Sequence, residues 1–244
     1  MRGPLPIEGC LNFRDAGGWP TLDGGVTGTG RLFRADDPIR LTERGRAAVD
    51  ALGLVAVIDV RQEAQVRRSP GFCEPARTVH LPLMDQVIDR NAPPPLERAE
   101  HLADLYDSML TTAGPAFARV VDLLGAHLER GPALVHCAYG KDRTGLIVAM
   151  VQALVGVRDD DIVAEYALSD EPVRARRAWL LDEPRPDDPD IAKVSALLFT
   201  APAEAMAVLL GRMRARHGST QEWVRGLPLH PETPARLRRA LVTP

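Results

Sequence analysis

Apolar residues fall along this chain in two alternating patterns. The first is the short unbroken run. Leu54-Val55-Ala56-Val57-Ile58-Asp59-Val60 is nearly continuous and ends in charge at Asp59 and Arg61, the pattern of a strand covered on both faces. Pro132-Ala133-Leu134-Val135, after Gly131, reads as a second buried strand, and Thr78-Val79-His80-Leu81, closed by Pro82, as a third. The second pattern recurs every three or four residues. It predicts helices over Thr42 to Leu52 with Gly53 just beyond, around Leu102, Leu105, Tyr106 and Met109, over Phe117 to Leu128, and through Leu146, Ile147, Met150, Ala153, Leu154 and Val157. Further helices open at Asp159-Asp160-Asp161, where carboxylates suit the positive end of the macrodipole, and run over Pro202 to His217, closed by Gly218. Ser219 and Glu222 form a capping box for a helix at Trp223, and a last helix spans Pro234 to Leu241.

Buried strands alternating with helices predict an α/β fold: a short, largely parallel sheet of four or five strands with helices on both faces and a helical C-terminal tail. Residues 1–244 read as a single domain, with an N-terminal hairpin segment over 1–40 and C-terminal helices over 191–244. Gly17-Gly18 leads into Trp19-Pro20 and turns, not into a helix start, so it does not read as a phosphate-cradling loop. Residues 85–114, punctuated by Pro93-Pro94-Pro95, form a candidate lid or a passive loop. Residues 182–190 form a polar linker.

Charge narrows the class. A net charge of −3 and a pI near 6.1 give no global attraction to nucleic acid or to an acidic membrane surface. Cys10, Cys73 and Cys137 lie far apart with no Cys-x-x-Cys pair, which points to neither a zinc site nor a disulfide framework and fits a reducing compartment. Met1 to Cys10 lacks a signal peptide's apolar core, and the run Leu146 to Val157 is too short to span a bilayer. A soluble, cytoplasmic protein is expected, with non-classical secretion left open. All but two of the 30 basic residues are arginine, yet one of the two lysines, Lys141, stands in the most chemically loaded stretch. An ammonium meets phosphate differently from a guanidinium, which argues for a chemical role for Lys141.

That stretch is Val135-His136-Cys137-Ala138-Tyr139-Gly140-Lys141-Asp142-Arg143-Thr144-Gly145. It puts a thiol on a turn between a strand end and a helix start. Small residues at Ala138, Gly140 and Gly145 let the turn close so that successive N–H groups converge on one hollow above the helix terminus. Such a hollow takes an oxyanion. It also favours a thiolate, the attacking form of cysteine, and Arg143 adds a fixed cation.

Cys137, Arg143 and Thr144 resemble the His-Cys-x5-Arg-Ser/Thr signature of cysteine-dependent phosphatases, and the fuller His-Cys-x-x-Gly-Lys-Asp-Arg-Thr-Gly resembles the bacterial tyrosine/phosphoinositide phosphatase family. Asn12-Phe13-Arg14-Asp15-Ala16-Gly17-Gly18 with Arg31-Leu32-Phe33-Arg34 is similar to that family's opening, and Asp59-Val60-Arg61 to its Asp-x-Arg segment. The resemblance runs through most of the chain, tail included. It implies a protein-tyrosine-phosphatase-like fold, with Arg14 and Asp15 supporting the loop from behind. It also implies a phosphate monoester hydrolase in which Cys137 forms a cysteinyl-phosphate. Arg143 and the amides of Ala138, Tyr139, Gly140, Lys141, Asp142 and Arg143 would hold the phosphate oxygens, Thr144 would hydrogen-bond the thiolate, and His136 would position the loop.

The proton donor has three candidates. Trp19-Pro20 is followed by Thr21, so the mobile Trp-Pro-Asp device of many tyrosine phosphatases is missing. Asp142 is the candidate acid, Asp59 the alternative and Asp85 a third. No cofactor or metal is expected, for there is no His-x-His or His-Glu-x-x-His. The expected partner is a phosphorylated protein, on phosphotyrosine or phosphoserine/threonine, or a phosphoinositide whose second ring phosphate Lys141 would contact. A sulfurtransferase-type cysteine enzyme and a non-catalytic phosphate-binding module are the alternatives; the Arg143 spacing speaks against the first and the intact Cys137 against the second. Oligomeric state is not legible.

Overall fold

A computed structural model describes residues 3–69, 71–74, 77–83, 98–184, 191 and 193–243. Its frame is a five-stranded sheet. β1 (Arg14–Asp15) runs antiparallel to β3 (Leu32–Ala35) at one edge; β3, β6 (Ala133–His136), β4 (Ala56–Asp59) and β5 (Thr78–His80) follow in that order, all parallel. The expected short, mostly parallel sheet is therefore present, with β1 as its antiparallel edge. Register puts Ala35 and Asp59 on either side of His136, so the ends of three strands meet at the residue before Cys137.

Both faces are covered, which is why the strands carry so few polar residues. Leu32, Ala56, Ile58, Ala133 and Val135 face a thick helical layer, while Phe33, Ala35, Val57 and Leu134 face a thin one with Ile7, Phe13, Phe72 and Val49 of α1 (Glu43–Asp50). Thr42 caps α1 by accepting from the Gly45 amide at 3.1 Å. α2 (Glu63–Arg68) follows β4.

The thick layer centres on α4 (Asp142–Leu154), buried at every position from Arg143 to Leu154. An apolar stripe on one side only would not survive there. Around it pack α3 (Ala99–Leu128), α5 (Asp159–Ala167), α8 (Thr220–Arg225) and α9 (Thr233–Leu241), and α7 (Ala203–His217) packs in turn on α3, α5 and α8. Gly218, at φ +87°, returns its N–H to Arg214 O at 2.8 Å, and Ser219 Oγ accepts from the Glu222 amide at 3.0 Å, as the punctuation predicts.

Three elements add to the sequence reading. The two expected helices on either side of Ala113 run on from one another across a kink, where Ala113 takes φ −119° and ψ 17°. Pro115 has no N–H to continue the ladder and its ring crowds the preceding turn, but apolar residues on both halves keep the pieces docked on one core. The second is α6 (Asp170–Asp182), with Pro172 in its first turn, where a missing N–H costs nothing. The third is a two-stranded ribbon of β2 (Val26–Thr27) and β7 (Val242–Thr243). Of the candidate lid, the part from residue 98 onward forms the start of α3, and residues 84–97, Asp85 included, lie outside the described residues, as do 185–190 of the linker. No helix among the described residues is long and apolar enough to cross a membrane.

A buried ion trio joins the sheet edge to the helices. Glu165 on α5 accepts from Arg14 Nε at 2.9 Å and from Arg34 Nη1 at 2.5 Å, with all three side chains almost wholly buried. Arg14 also donates to Glu165 O at 2.9 Å and Ser169 Oγ at 3.0 Å. Burial and the like charge of Arg34 pull the Arg14 pKa down to about 10 against the opposing effect of Glu165. Glu165→Ala would leave two guanidiniums facing each other without a counter-charge. Urea unfolding should show a loss of about 3–5 kcal/mol; a loss under 1 kcal/mol would mean that the trio does not hold these layers together.

Candidate active site

Cys137 is buried directly beyond the last residue of the central strand, and residues 138–141 turn from there into α4. An anion-binding turn needs its amides inward, so its carbonyls must find partners outside. Three elements supply them. Ala138 O accepts from the Asp37 amide at 3.1 Å, Tyr139 O from Asn12 Nδ2 at 2.9 Å, and Gly140 O from Arg34 Nη2 at 2.5 Å. Gly140 has φ +63°, and a Cβ there would come within 2.5 Å of Ala35 O, so the tight approach to the sheet requires glycine.

These supports are themselves held. Asp36 accepts from the Asn12 amide at 2.9 Å and from the Cys10 thiol at 2.7 Å, and Asn12 Oδ1 accepts from Arg14. Arg14 therefore backs the loop through Asn12 and Glu165. Asp15 does not reach it: its carboxylate takes the Gly17 and Gly30 amides in the hairpin.

Arg143 is buried and its fork is set by carbonyls past the strand ends: Nη1 donates to Val60 O at 3.1 Å and Leu83 O at 3.4 Å, and Nη2 to Gln65 Oε1 of α2 at 3.4 Å. Thr144 is fully buried, and its Oγ1 has no hydrogen-bond partner among the described residues. An orphaned hydroxyl at the foot of the loop is costly unless something at the site uses it.

The three carboxyl-bearing and cationic neighbours separate clearly. Asp59 is enclosed by Arg61, which donates from its backbone N–H and Nε to Oδ1 at 3.0 Å each and from Nη2 to Oδ2 at 2.6 Å. Burial alone would raise its pKa; a protonated His136 and the Arg61 guanidinium outweigh burial and hold it at about 2, with Arg61 as the charge that remains at neutral pH. Asp142 is about a quarter exposed; its Oδ1 is ion-paired with Lys141 Nζ at 3.0 Å and accepts from the Tyr106 hydroxyl at 2.7 Å. Lys141 is wholly buried. Its ammonium also donates to Leu198 O at 2.9 Å and Thr200 O at 3.0 Å, tying the loop to the 3-10 turn Ala196–Phe199, and a second ring phosphate would have to displace one of these acceptors.

Asn12, Arg34, Tyr106, Glu165 and Tyr166 carry or buttress the site, and the sequence reading assigned none of them a contact with it. Asn12 and Arg34 stand inside the quoted opening motifs, so a signal was present without a role. Glu165 follows the buried Ile162 by three positions, an acid on the apolar stripe of α5, which is the pattern of a buried charge with a partner.

Residues 5–243 match the model of the tyrosine phosphatase family. The chain is 31% identical over 97% of its length to the triple specificity protein phosphatase PtpB of Mycobacterium tuberculosis, covering 98% of that protein. It is also 31% identical over 57% of its length to a tyrosine-protein phosphatase of Nostoc commune, covering 48% of it. The chain belongs to the tyrosine phosphatase family.

His136 gives a pH-dependent test of the loop's foundation. Its ring lies edge-on to Phe72, with centroids 4.9 Å apart, and Nε2 is 3.6 Å from Asp59 Oδ2. Burial lowers its pKa to about 4, the nearby Asp59 only partly offsetting that. Unfolded histidine takes its proton near pH ~6.5. Between those values the unfolded chain binds the extra proton, so acid favours unfolding. Stability should fall by about 2–3 kcal/mol as pH drops from 6.5 to 4. His136→Gln should flatten that slope in urea unfolding, and parallel curves for the two proteins would show that His136 is not its source.

Proposed function

We propose that this member of the tyrosine phosphatase family hydrolyses phosphate monoesters through a cysteinyl-phosphate on Cys137. The observation that carries the reading is the outward bonding of three successive loop carbonyls beside a buried cysteine. With their carbonyls so engaged, the amides of residues 138–143 are directed at the equatorial oxygens of a phosphate in line with Cys137 Sγ. Arg143 adds a charge-assisted clamp whose orientation is fixed before substrate arrives. The sulfur attacks phosphorus, the P–O bond to the leaving group breaks, and the leaving oxygen takes a proton. Water then attacks the cysteinyl-phosphate and releases inorganic phosphate and the thiolate, to which the Thr144 hydroxyl donates.

Asp142 supplies the proton in this reading. It is the one partly exposed carboxyl of the loop, whereas Asp59 stays ionised against Arg61 far below neutral pH and has no proton to give. Lys141 holds Asp142 and the 196–200 segment in place. Substrates are phosphotyrosine and, more widely, phosphoserine/threonine or phosphoinositide; support for that breadth is the name of the mycobacterial relative. A panel of phosphotyrosine peptide, phosphoserine peptide and monophosphorylated inositol lipid tests it, and turnover confined to phosphotyrosine would reject the wider range.

Cys137→Ser should abolish turnover and keep phosphate-ester binding, while Arg143→Ala should lose both, because the clamp acts on bound substrate and on the transition state. Substantial turnover by the serine variant would rule out the covalent step. Asp142→Asn should cost a factor on the order of 10²–10⁴ with an alkyl phosphate and much less with an aryl phosphate whose leaving group needs no proton. Equal losses on the two substrates would remove Asp142 from the acid's role.

A further inference from the structure

Two buried tyrosines stand behind Asp142 with no part in the chemistry described so far. Tyr106 projects from the first half of α3 and Tyr166 from α5; both are fully or almost fully buried, and their rings meet edge-on with centroids 6.0 Å apart. Their hydroxyls are 2.7 Å from each other, and the Tyr106 hydroxyl is 2.7 Å from Asp142 Oδ1. A phenol has one proton. Tyr106 spends its proton on Asp142, so the Tyr166 hydroxyl must donate to Tyr106, and the chain of donors runs one way, from α5 through α3 to the loop.

We propose that Tyr106, oriented by Tyr166, is a positioning residue that fixes which oxygen of Asp142 carries the catalytic proton. The proposal rests on the reading of Asp142 as the acid. Oδ1 already accepts from Tyr106 and has the Lys141 ammonium 3.0 Å away. A donor and a cation on Oδ1 disfavour a proton there and favour it on Oδ2, so the Oδ2–H bond breaks as the new O–H bond forms on the leaving oxygen. A carboxyl that turned freely would divide its proton between two oxygens and point the wrong one at the substrate for part of the time.

The surroundings fit donors of fixed protonation. Burial, and then the charge of Asp142, push both phenols above their usual range, so neither competes with Asp142 for the role of acid at neutral pH. Lys141 on the loop, Arg34 on β3 and Asp170 at the start of α6 are the further charges that act on this chain among the described residues. Gly145 leaves room for the arrangement, since a Cβ there would lie 3.1 Å from the Tyr166 ring.

The experiment compares Tyr106→Phe, Asp142→Asn and the double variant on an alkyl phosphate and on p-nitrophenyl phosphate. Tyr106→Phe should lower kcat on the alkyl ester about tenfold with KM within about twofold, should affect the aryl ester far less, and should add nothing in the Asp142→Asn background. If Asp142→Asn keeps its leaving-group dependence but Tyr106→Phe slows both substrates equally, or slows the double variant further, Tyr106 is only a packing residue and the proposal fails alone. Should Asp142→Asn show no leaving-group dependence, the acid reading falls and this proposal with it. Tyr166→Phe, which removes only the outer hydroxyl, carries the same comparison with a smaller expected effect if Tyr106→Phe does not fold.

Discussion

Three hydrogen bonds from outside the loop determine everything inside it. A peptide unit cannot turn its N–H toward a ligand without turning its carbonyl away, and a buried carbonyl turned away must be met. Here the partners come from the Asn12 segment, the end of β3 and the residue Asp37 beyond it, three places in the N-terminal forty residues. The anion hollow is therefore an impression made by the sheet edge as much as a property of the loop sequence. Glycine at 140 is the only concession the loop makes to that fit; the rest is supplied by neighbours.

The ionic groups divide the site into two regions of opposite excess charge. Beneath the Gly140 carbonyl, two guanidiniums share one carboxylate, Arg14 and Arg34 with Glu165. Across the strand ends, one guanidinium is shared by two carboxylates, Arg61 with Asp59 and Asp37. Buried pairs of this kind are weak contributors to stability when compared with apolar packing. Their value here is geometric, because each fixes a segment that bonds the loop. The positive trio also lies on the side from which Arg34 reaches the loop, where its charge suits the dianion of the proposed substrate.

Much of this architecture is legible in the linear order of residues. Continuous apolar runs gave away the strands over 56–59 and 133–136, and Gly218, Ser219 and Glu222 marked a helix end and the next start within a residue or two, since caps are local chemistry. The proposed nucleophile and clamp, Cys137 and Arg143, are visible with their turn because seven neighbouring residues carry them. What escaped is non-local. Glu165 is 131 residues from Arg34, and Tyr106 reads in sequence as one more apolar position of a helix, its hydroxyl carrying no periodic signal. Helical spacing marks both halves of α3 but not the kink at Ala113, because periodicity does not report whether two helices run on from one another. The ribbon of β2 and β7 was invisible for the same reason: two residues carry no periodicity.

The span of the loop's supports bears on when the candidate site forms. Asn12 and Tyr139 are 127 residues apart, Arg34 and Gly140 are 106 apart, and Arg14 and Glu165 are 151 apart. Closing loops of that length carries an entropic cost that only the assembled core offsets, which puts the site among the slow, late contacts of a high-contact-order fold. In a partly folded chain the turn that carries Cys137 is thus unconstrained. On the proposed mechanism activity arrives with the cooperative transition itself, so a nascent or misfolded copy is not a weak enzyme but an inert one.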